Sequence, residues 1–142
     1  MPDQQAAPAG QGRTSGWIGR VSKDLHSANE RGKDYSAVAK VVQHIQKNYG
    51  ETLRVKELSA QAQLSSYQFE QRIRKLFQIT AGQLIQKTRM EAAVRSLRET
   101  DHPIATIALD CGYSDQSAFT RQFRQTVGMS PSEYRSTGDD RL

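Results

Sequence analysis

At 142 residues, with 36% apolar and 7% aromatic side chains, the chain has room for one modest helical domain and not for a large layered core. A net charge of +5 permits binding to a polyanion without requiring it. Cys111 is the only cysteine, which excludes an intrachain disulfide or a cysteine metal cluster and suits a reducing compartment.

No apolar run approaches the ~20 residues of a membrane span, and the N-terminus lacks the basic and apolar regions of a secretory signal. Residues 1–16 are rich in Gln, Ala, Gly and Pro and are expected to be disordered. Trp17, Ile18, Val21 and Leu25 then have rough helical spacing, like the end of an interdomain helix. Residues 1–35 therefore read as a flexible leader or linker remnant, too short to form a further domain.

From Ser36 the periodicity sharpens. Val38, Val41, Val42, Ile45 and Tyr49 share one face of a helix that stops at Gly50. Val55, Leu58 and Ala62 predict a second, short helix. Ser65 or Ser66 caps a third, with Phe69, Ile73, Leu76 and Phe77 turned inward. Thr80 opens a long helix through Leu84, Ile85, Thr88, Ala92 and Leu97, which ends near Thr100 before the Asp101-His102-Pro103 break. Ile104, Ile107, Ala108 and Cys111 predict a fifth.

The stretch 111–135 organises the rest. Gly112 suits a helix end that needs positive φ, and Ser114 or Asp115 offers a side-chain oxygen to start a new helix. Phe119, Phe123 and Val127 recur at helical period as one buried stripe, leaving Gln116, Ser117, Thr120, Arg121 and Arg124 on the other side. A helix, a tight turn and a helix with an apolar back and an amide, hydroxyl and guanidinium front form the helix-turn-helix pattern. Those front groups read base edges and phosphates. Pro131 starts a final short helix ending near Arg135.

The chain also repeats itself. Val55, Leu58, Ala62, Leu64-Ser65, Phe69, Ile73, Phe77 and Thr80 mirror Ile104, Ile107, Cys111, Tyr113-Ser114, Phe119, Phe123, Val127 and Ser130. The second copy carries one extra residue at its turn. The pattern therefore predicts an all-α, homeodomain-like protein of about seven helices: two helix-turn-helix subdomains over 36–136, joined by a long helix, with 137–142 a disordered tail. The joining helix, at ~1.5 Å per residue, would be ~30 Å long, close to the ~34 Å between successive major-groove faces. Two recognition helices could then grip DNA without dimerisation.

The order Gly112, Tyr113, Ser114, Gln116, Ser117, Phe119, Phe123, Gly128, Pro131, Tyr134 and Arg135 resembles the C-terminal signature of the AraC family of bacterial transcription regulators. The resemblance covers nearly all of 36–136. It implies a sequence-specific regulator that binds double-stranded promoter DNA, usually activating transcription through RNA polymerase. It further implies a cytoplasmic, nucleoid-associated protein, monomeric on DNA in this domain; the residues offer no catalytic constellation, so no enzyme activity and no cofactor are expected. The residues expected at DNA are Gln116, Ser117, Thr120, Arg121 and Arg124 in the second recognition helix, with Arg124 on phosphate. In the first they are Tyr67, Gln68, Glu70, Gln71 and Arg74. Relatives of this family often carry a separate effector or dimerisation domain, so the chain reads either as a small stand-alone regulator or as the C-terminal part of a longer one.

Two departures bear on shape. Gln63 stands where the second copy has Gly112, and Gln78 where it has Gly128. A non-glycine at positive φ costs roughly 1 kcal/mol, so both turns are expected to be looser or differently shaped. His26, His44 and His102 have no ligand spacing, Cys111 lies on an apolar face, and Arg89 and Glu91 suit an internal ion pair or cap. No hydrolase, nucleotide or zinc-protease motif occurs. The alternative from another class is an adaptor of the same fold that contacts RNA polymerase or another regulator without reading DNA; its mark would be apolar or acidic front faces.

Overall fold

The computed structural model describes residues 33–137, which form seven α-helices and no strand. In chain order they are α1 (Lys33–Lys47), α2 (Val55–Gln61), α3 (Ser66–Phe77), α4 (Ala81–Glu99), α5 (Ile104–Asp110), α6 (Gln116–Val127) and α7 (Pro131–Thr137). The all-α reading holds. The expected leader helix around Trp17–Leu25 and residues 138–142 of the expected tail lie outside the described residues, while Thr137, expected in that tail, is the last residue of α7.

The described chain divides into two compact units, one of residues 33–48 and 53–85, the other of residues 49–52 and 86–137. It passes from one to the other within α4. In the first unit α1 contributes Val38, Val41, Val42 and Ile45, each at most 2% exposed, to a core completed by Leu58, Phe69, Ile73, Phe77, Ala81 and Leu84. In the second, Met90, Ala93 and Leu97 of α4 meet Ile107, Ala108, Cys111, Phe119, Phe123 and Tyr134. An aromatic ladder runs through this core: Tyr113 to Phe119 at 5.6 Å, Phe119 to Phe123 at 5.7 Å and Phe123 to Tyr134 at 5.9 Å between centroids, all tilted or edge-on.

Helix ends follow local chemistry. Ser65, not Ser66, caps α3: its Oγ accepts the Gln68 N–H while Gln68 Oε1 accepts the Ser65 N–H. Thr80 and Gln83 form the same reciprocal pair at α4, and Ser130 and Glu133 at α7. Asp115, not Ser114, caps α6 through the Ala118 N–H at 2.8 Å. Helix α1 ends sooner than its apolar period suggests, because Asn48 folds its Nδ2 back onto the His44 carbonyl at 2.9 Å. Tyr49 therefore leaves the α1 face and packs against the second core.

The turns at the ends of the equivalent helices repeat the same backbone hydrogen bonds in both copies. Gln63 N–H donates to Ala60 O and Leu64 N–H to Ser59 O, as Gly112 N–H does to Leu109 O and Tyr113 N–H to Ala108 O. Gln78 N–H reaches Arg74 O as Gly128 N–H reaches Arg124 O. Both glutamines take left-handed backbone, φ 60° at Gln63 and 64° at Gln78, beside 94° at both glycines. The expectation of looser turns is thus corrected, since the hydrogen bonds are kept against a strain of roughly 1 kcal/mol each, while the smaller φ of the glutamines leaves those turns slightly different in shape. Since Ser65 and Asp115 are the equivalent caps, the extra residue of the second copy is Ser114.

Candidate nucleic-acid interface

Each unit presents one recognition-type helix, and the short turn before it is what aims its front. In the second unit, Gly112 at φ 94° lets the chain turn in close quarters: a Cβ there would lie 2.9 Å from both the Tyr49 carbonyl oxygen and Arg89 Nε. Phe119 and Phe123, both fully buried, fix the back of α6. Gln116, Ser117, Arg121 and Arg124 are left exposed along the helix, and Thr120 is half-buried.

A polar relay behind this face has no sequence signature. Tyr113 donates its hydroxyl hydrogen to Gln86 Oε1 at 2.8 Å, Gln86 Nε2 donates to Gln122 Oε1 at 3.1 Å, and Gln122 Nε2 donates to Thr126 Oγ1 at 3.1 Å. The relay ties α6 to α4 from the side and so sets the rotation of the helix carrying Arg121. Gln122 sits beside Phe123 in a stretch that reads as plain helix surface, and its partner is 36 residues away. Nothing in the periodicity could reveal it.

Two arginines serve the scaffold. Arg89 donates to the Tyr49 carbonyl at 2.8 Å and the Glu51 carbonyl at 2.9 Å, with its guanidinium 5.9 Å from the Tyr113 ring centroid. Arg89 therefore braces the loop after α1 through that loop's carbonyls. Arg135 takes the carbonyls of His102 at 2.7 Å, Thr100 at 3.1 Å and Leu97 at 3.4 Å, closing the C-terminal end of α4.

In the first unit, Phe69, Ile73 and Phe77 anchor α3. Tyr67, Gln68, Gln71 and Arg74 are exposed, and Gln71 Nε2 donates to the Tyr67 hydroxyl at 2.9 Å. Gln68 has its Oε1 occupied by the cap of α3. Glu70 is set apart. It is half-buried, and its Oε1 accepts the backbone N–H of Ala81, the first residue of α4, at 2.9 Å. That carboxylate supports a helix start, so Tyr67, Gln71 and Arg74 are the freer groups of this face.

Burial governs the titration of the groups nearest the second turn. It pushes the Cys111 thiol up to about 12, with Asp110 adding to the effect and Arg95 and Arg89 opposing it. It raises the Tyr113 hydroxyl too, against the pull of Arg89. Glu133 moves the other way: the Ser130 backbone N–H and then its hydroxyl hold the carboxyl below its usual range, with a smaller contribution from Arg124. Among the described residues no three His, Cys, Asp or Glu side chains cluster as metal ligands. No described helix is long and apolar enough to cross a membrane.

Comparison with known proteins places this arrangement. Residues 58–137 match the family model described as a helix-turn-helix domain. The probable transcriptional regulator LumQ of Photobacterium leiognathi is 35% identical over 95 residues, 67% of this chain and 37% of that protein. The regulatory protein SoxS of Salmonella typhimurium is 30% identical over 95 residues, 67% of this chain and 89% of that protein. The chain thus spans well under half of LumQ and most of SoxS. Among solved structures, the DNA-binding domain of the global transcriptional factor AdpA in complex with a target DNA superposes with a TM-score of 0.69 at 30% identity, covering 71% of this chain and 91% of that one.

Proposed function

The chain belongs to the AraC-type helix-turn-helix family, and on that premise we propose that it is a transcription regulator that binds promoter DNA sequence-specifically. The observation that carries the reading is the front of α6. Gln116, Ser117, Arg121 and Arg124 stand exposed and adjacent on a helix whose back is locked by Phe119 and Phe123. Arg121 and Gln116 have the chemistry to read guanine and adenine edges, Ser117 and the half-buried Thr120 to add single hydrogen bonds, and Arg124 to neutralise phosphate.

The α3 face is the second reading surface. Helix α4, of 19 residues and so ~28 Å long, has the span to serve two adjacent major-groove segments. One polypeptide then grips two elements as a monomer. In this proposal the regulator activates initiation through RNA polymerase, in the cytoplasm and at the nucleoid, as the resemblance of its C-terminal signature implies.

Selection from a random DNA pool, followed by transcription from a promoter carrying the selected site, tests the proposal. The expected result is a bipartite motif with elements one helical turn apart, and more transcript when protein is added. A pool that enriches nothing would contradict the DNA reading and favour an adaptor. A selected site at which added protein lowers transcription would contradict activation alone.

A further inference from the structure

We infer that Gln86 and Tyr113, neither of them on the exposed front of α6, are positioning residues for that helix and thereby determine how sharply it discriminates between DNA sequences. The inference rests on the DNA-binding reading above and names what fixes the angle of its second recognition helix.

The repeat supplies an internal comparison. At the positions equivalent to Tyr113, Gln122 and Thr126 the first copy carries Leu64, Arg72 and Leu76. Leu64 and Leu76 have no side-chain hydrogen-bonding atom and pack against the first core. The same turn and helix therefore form without the chain of bonds that runs from Tyr113 through Gln86 and Gln122 to Thr126. Those polar groups are not what makes the second copy fold.

What they add is direction. Phe119 and Phe123 hold α6 by burial, which is non-directional and tolerates a small rotation about the helix axis. A helix with its side chains is about 10–12 Å across, so a rotation of about 10° carries its outer groups by ~1 Å. A base contact tolerates less, because hydrogen-bond lengths fall in a window of roughly 0.5 Å. Gln122 follows Arg121 in the chain, and its bonds to Gln86 on α4 and to Thr126 one turn along oppose that rotation. The far end is anchored as well. The Tyr113 ring lies 5.6 Å from the Phe119 ring and 5.9 Å from the Arg89 guanidinium, which fixes the hydroxyl bonded to Gln86 at 2.8 Å. Each amide carries both a donor and an acceptor, so the chain stays closed if both amides turn over together.

The test uses the full chain and a two-element site selected from random DNA. The element read by α6 is the one whose scrambling Arg121→Ala no longer feels. Anisotropy binding at several salt concentrations follows wild type, Tyr113→Phe, Gln86→Leu and the double variant on the intact site and on sites with single-base changes in either element. Each single variant is expected to lose most of a roughly tenfold base preference within the α6 element. Preference in the other element, salt dependence and helical content by circular dichroism should stay as in wild type. The double variant should lose no more than either single one, because both substitutions break the same chain. Wild-type preference in both single variants would overturn the inference while the DNA reading stands. So would an equal loss in both elements, the mark of a merely destabilised protein, or losses that add in the double variant. A pool that enriches no site would overturn both readings together.

Discussion

Glu70 and Ala81 are joined by a hydrogen bond from the Ala81 backbone N–H to the Glu70 carboxylate at 2.9 Å, linking the middle of α3 to the first residue of α4. The equivalent positions of the second copy are Thr120 and Pro131. Proline has no N–H to satisfy, so position 120 is released from this duty and can carry a group for another purpose. The duplicated frame thus assigns one position to the scaffold in one copy and leaves it available in the other.

Glu70→Ala is accordingly expected to lower stability by about 1 kcal/mol, the usual cost of a lost helix cap. Thr120→Ala should fall within about 0.5 kcal/mol of wild type. Urea denaturation followed by circular dichroism measures both, and equal losses would contradict the assignment.

Glycine substitutions should separate space from conformation. A Cβ on Gly50 would run into the Asp110 carbonyl oxygen, and one on Gly112 would crowd the Tyr49 carbonyl at an already left-handed φ of 94°. Gly50→Ala and Gly112→Ala are each expected to cost more than about 2 kcal/mol. Gln78→Gly relieves strain at φ 64° and should stabilise by up to about 1 kcal/mol. Thermal unfolding reads all three signs.

The Cys111 thiol, 2% exposed and pushed up to about 12, should resist alkylation in the folded protein at pH 8 and react once the chain is unfolded in urea. The folded state holds this proton more tightly than the unfolded chain, whose thiol loses it near pH 8.5. The contribution to stability is therefore complete below that pH and is lost as pH climbs from about 8.5 toward 12. The raised Tyr49 and Tyr113 hydroxyls act in the same direction above pH 10. Rapid labelling of the native protein at pH 8 would contradict the burial.

Tyr134 is 2% exposed, and among the described residues its hydroxyl has no hydrogen-bond partner. An unsatisfied buried hydroxyl costs about 1–3 kcal/mol. Tyr134→Phe keeps the edge-on contact with Phe123 and should leave stability unchanged or raise it. A clear loss in denaturant unfolding would show that the hydroxyl is bonded in solution.

Much of this frame was legible in the sequence because it is local. Phe69, Ile73 and Phe77, like Phe119 and Phe123, announce buried stripes by period alone, and the offset between copies foretells the repeated turns. The caps were narrowed to two candidates each, and only backbone geometry decides for Ser65 over Ser66 and for Asp115 over Ser114. Gln63 and Gln78 show the limit of residue propensity: the turn's hydrogen bonds impose left-handed backbone on residues that disfavour it. Long-range polar contacts were not legible. Gln86 meets Gln122, Arg135 meets the end of α4, and Glu70 meets Ala81 only because packed helices bring them together, and no spacing rule carries that information. At the candidate interface the periodicity singles out the exposed front of α6 but carries no sign that Glu70 is drawn back to Ala81 or that Gln71 bonds to the Tyr67 hydroxyl.

Base reading by the face of α6 is what distinguishes a regulator from an adaptor. The most direct measurement is anisotropy binding of wild type and Arg121→Ala to a selected site and to versions with either element scrambled, across a range of salt. Arg121→Ala is expected to lose roughly tenfold or more on the intact site, to become indifferent to scrambling of one element, and to stay sensitive to the other. Weak, unselective and equally salt-sensitive binding by both proteins would contradict it.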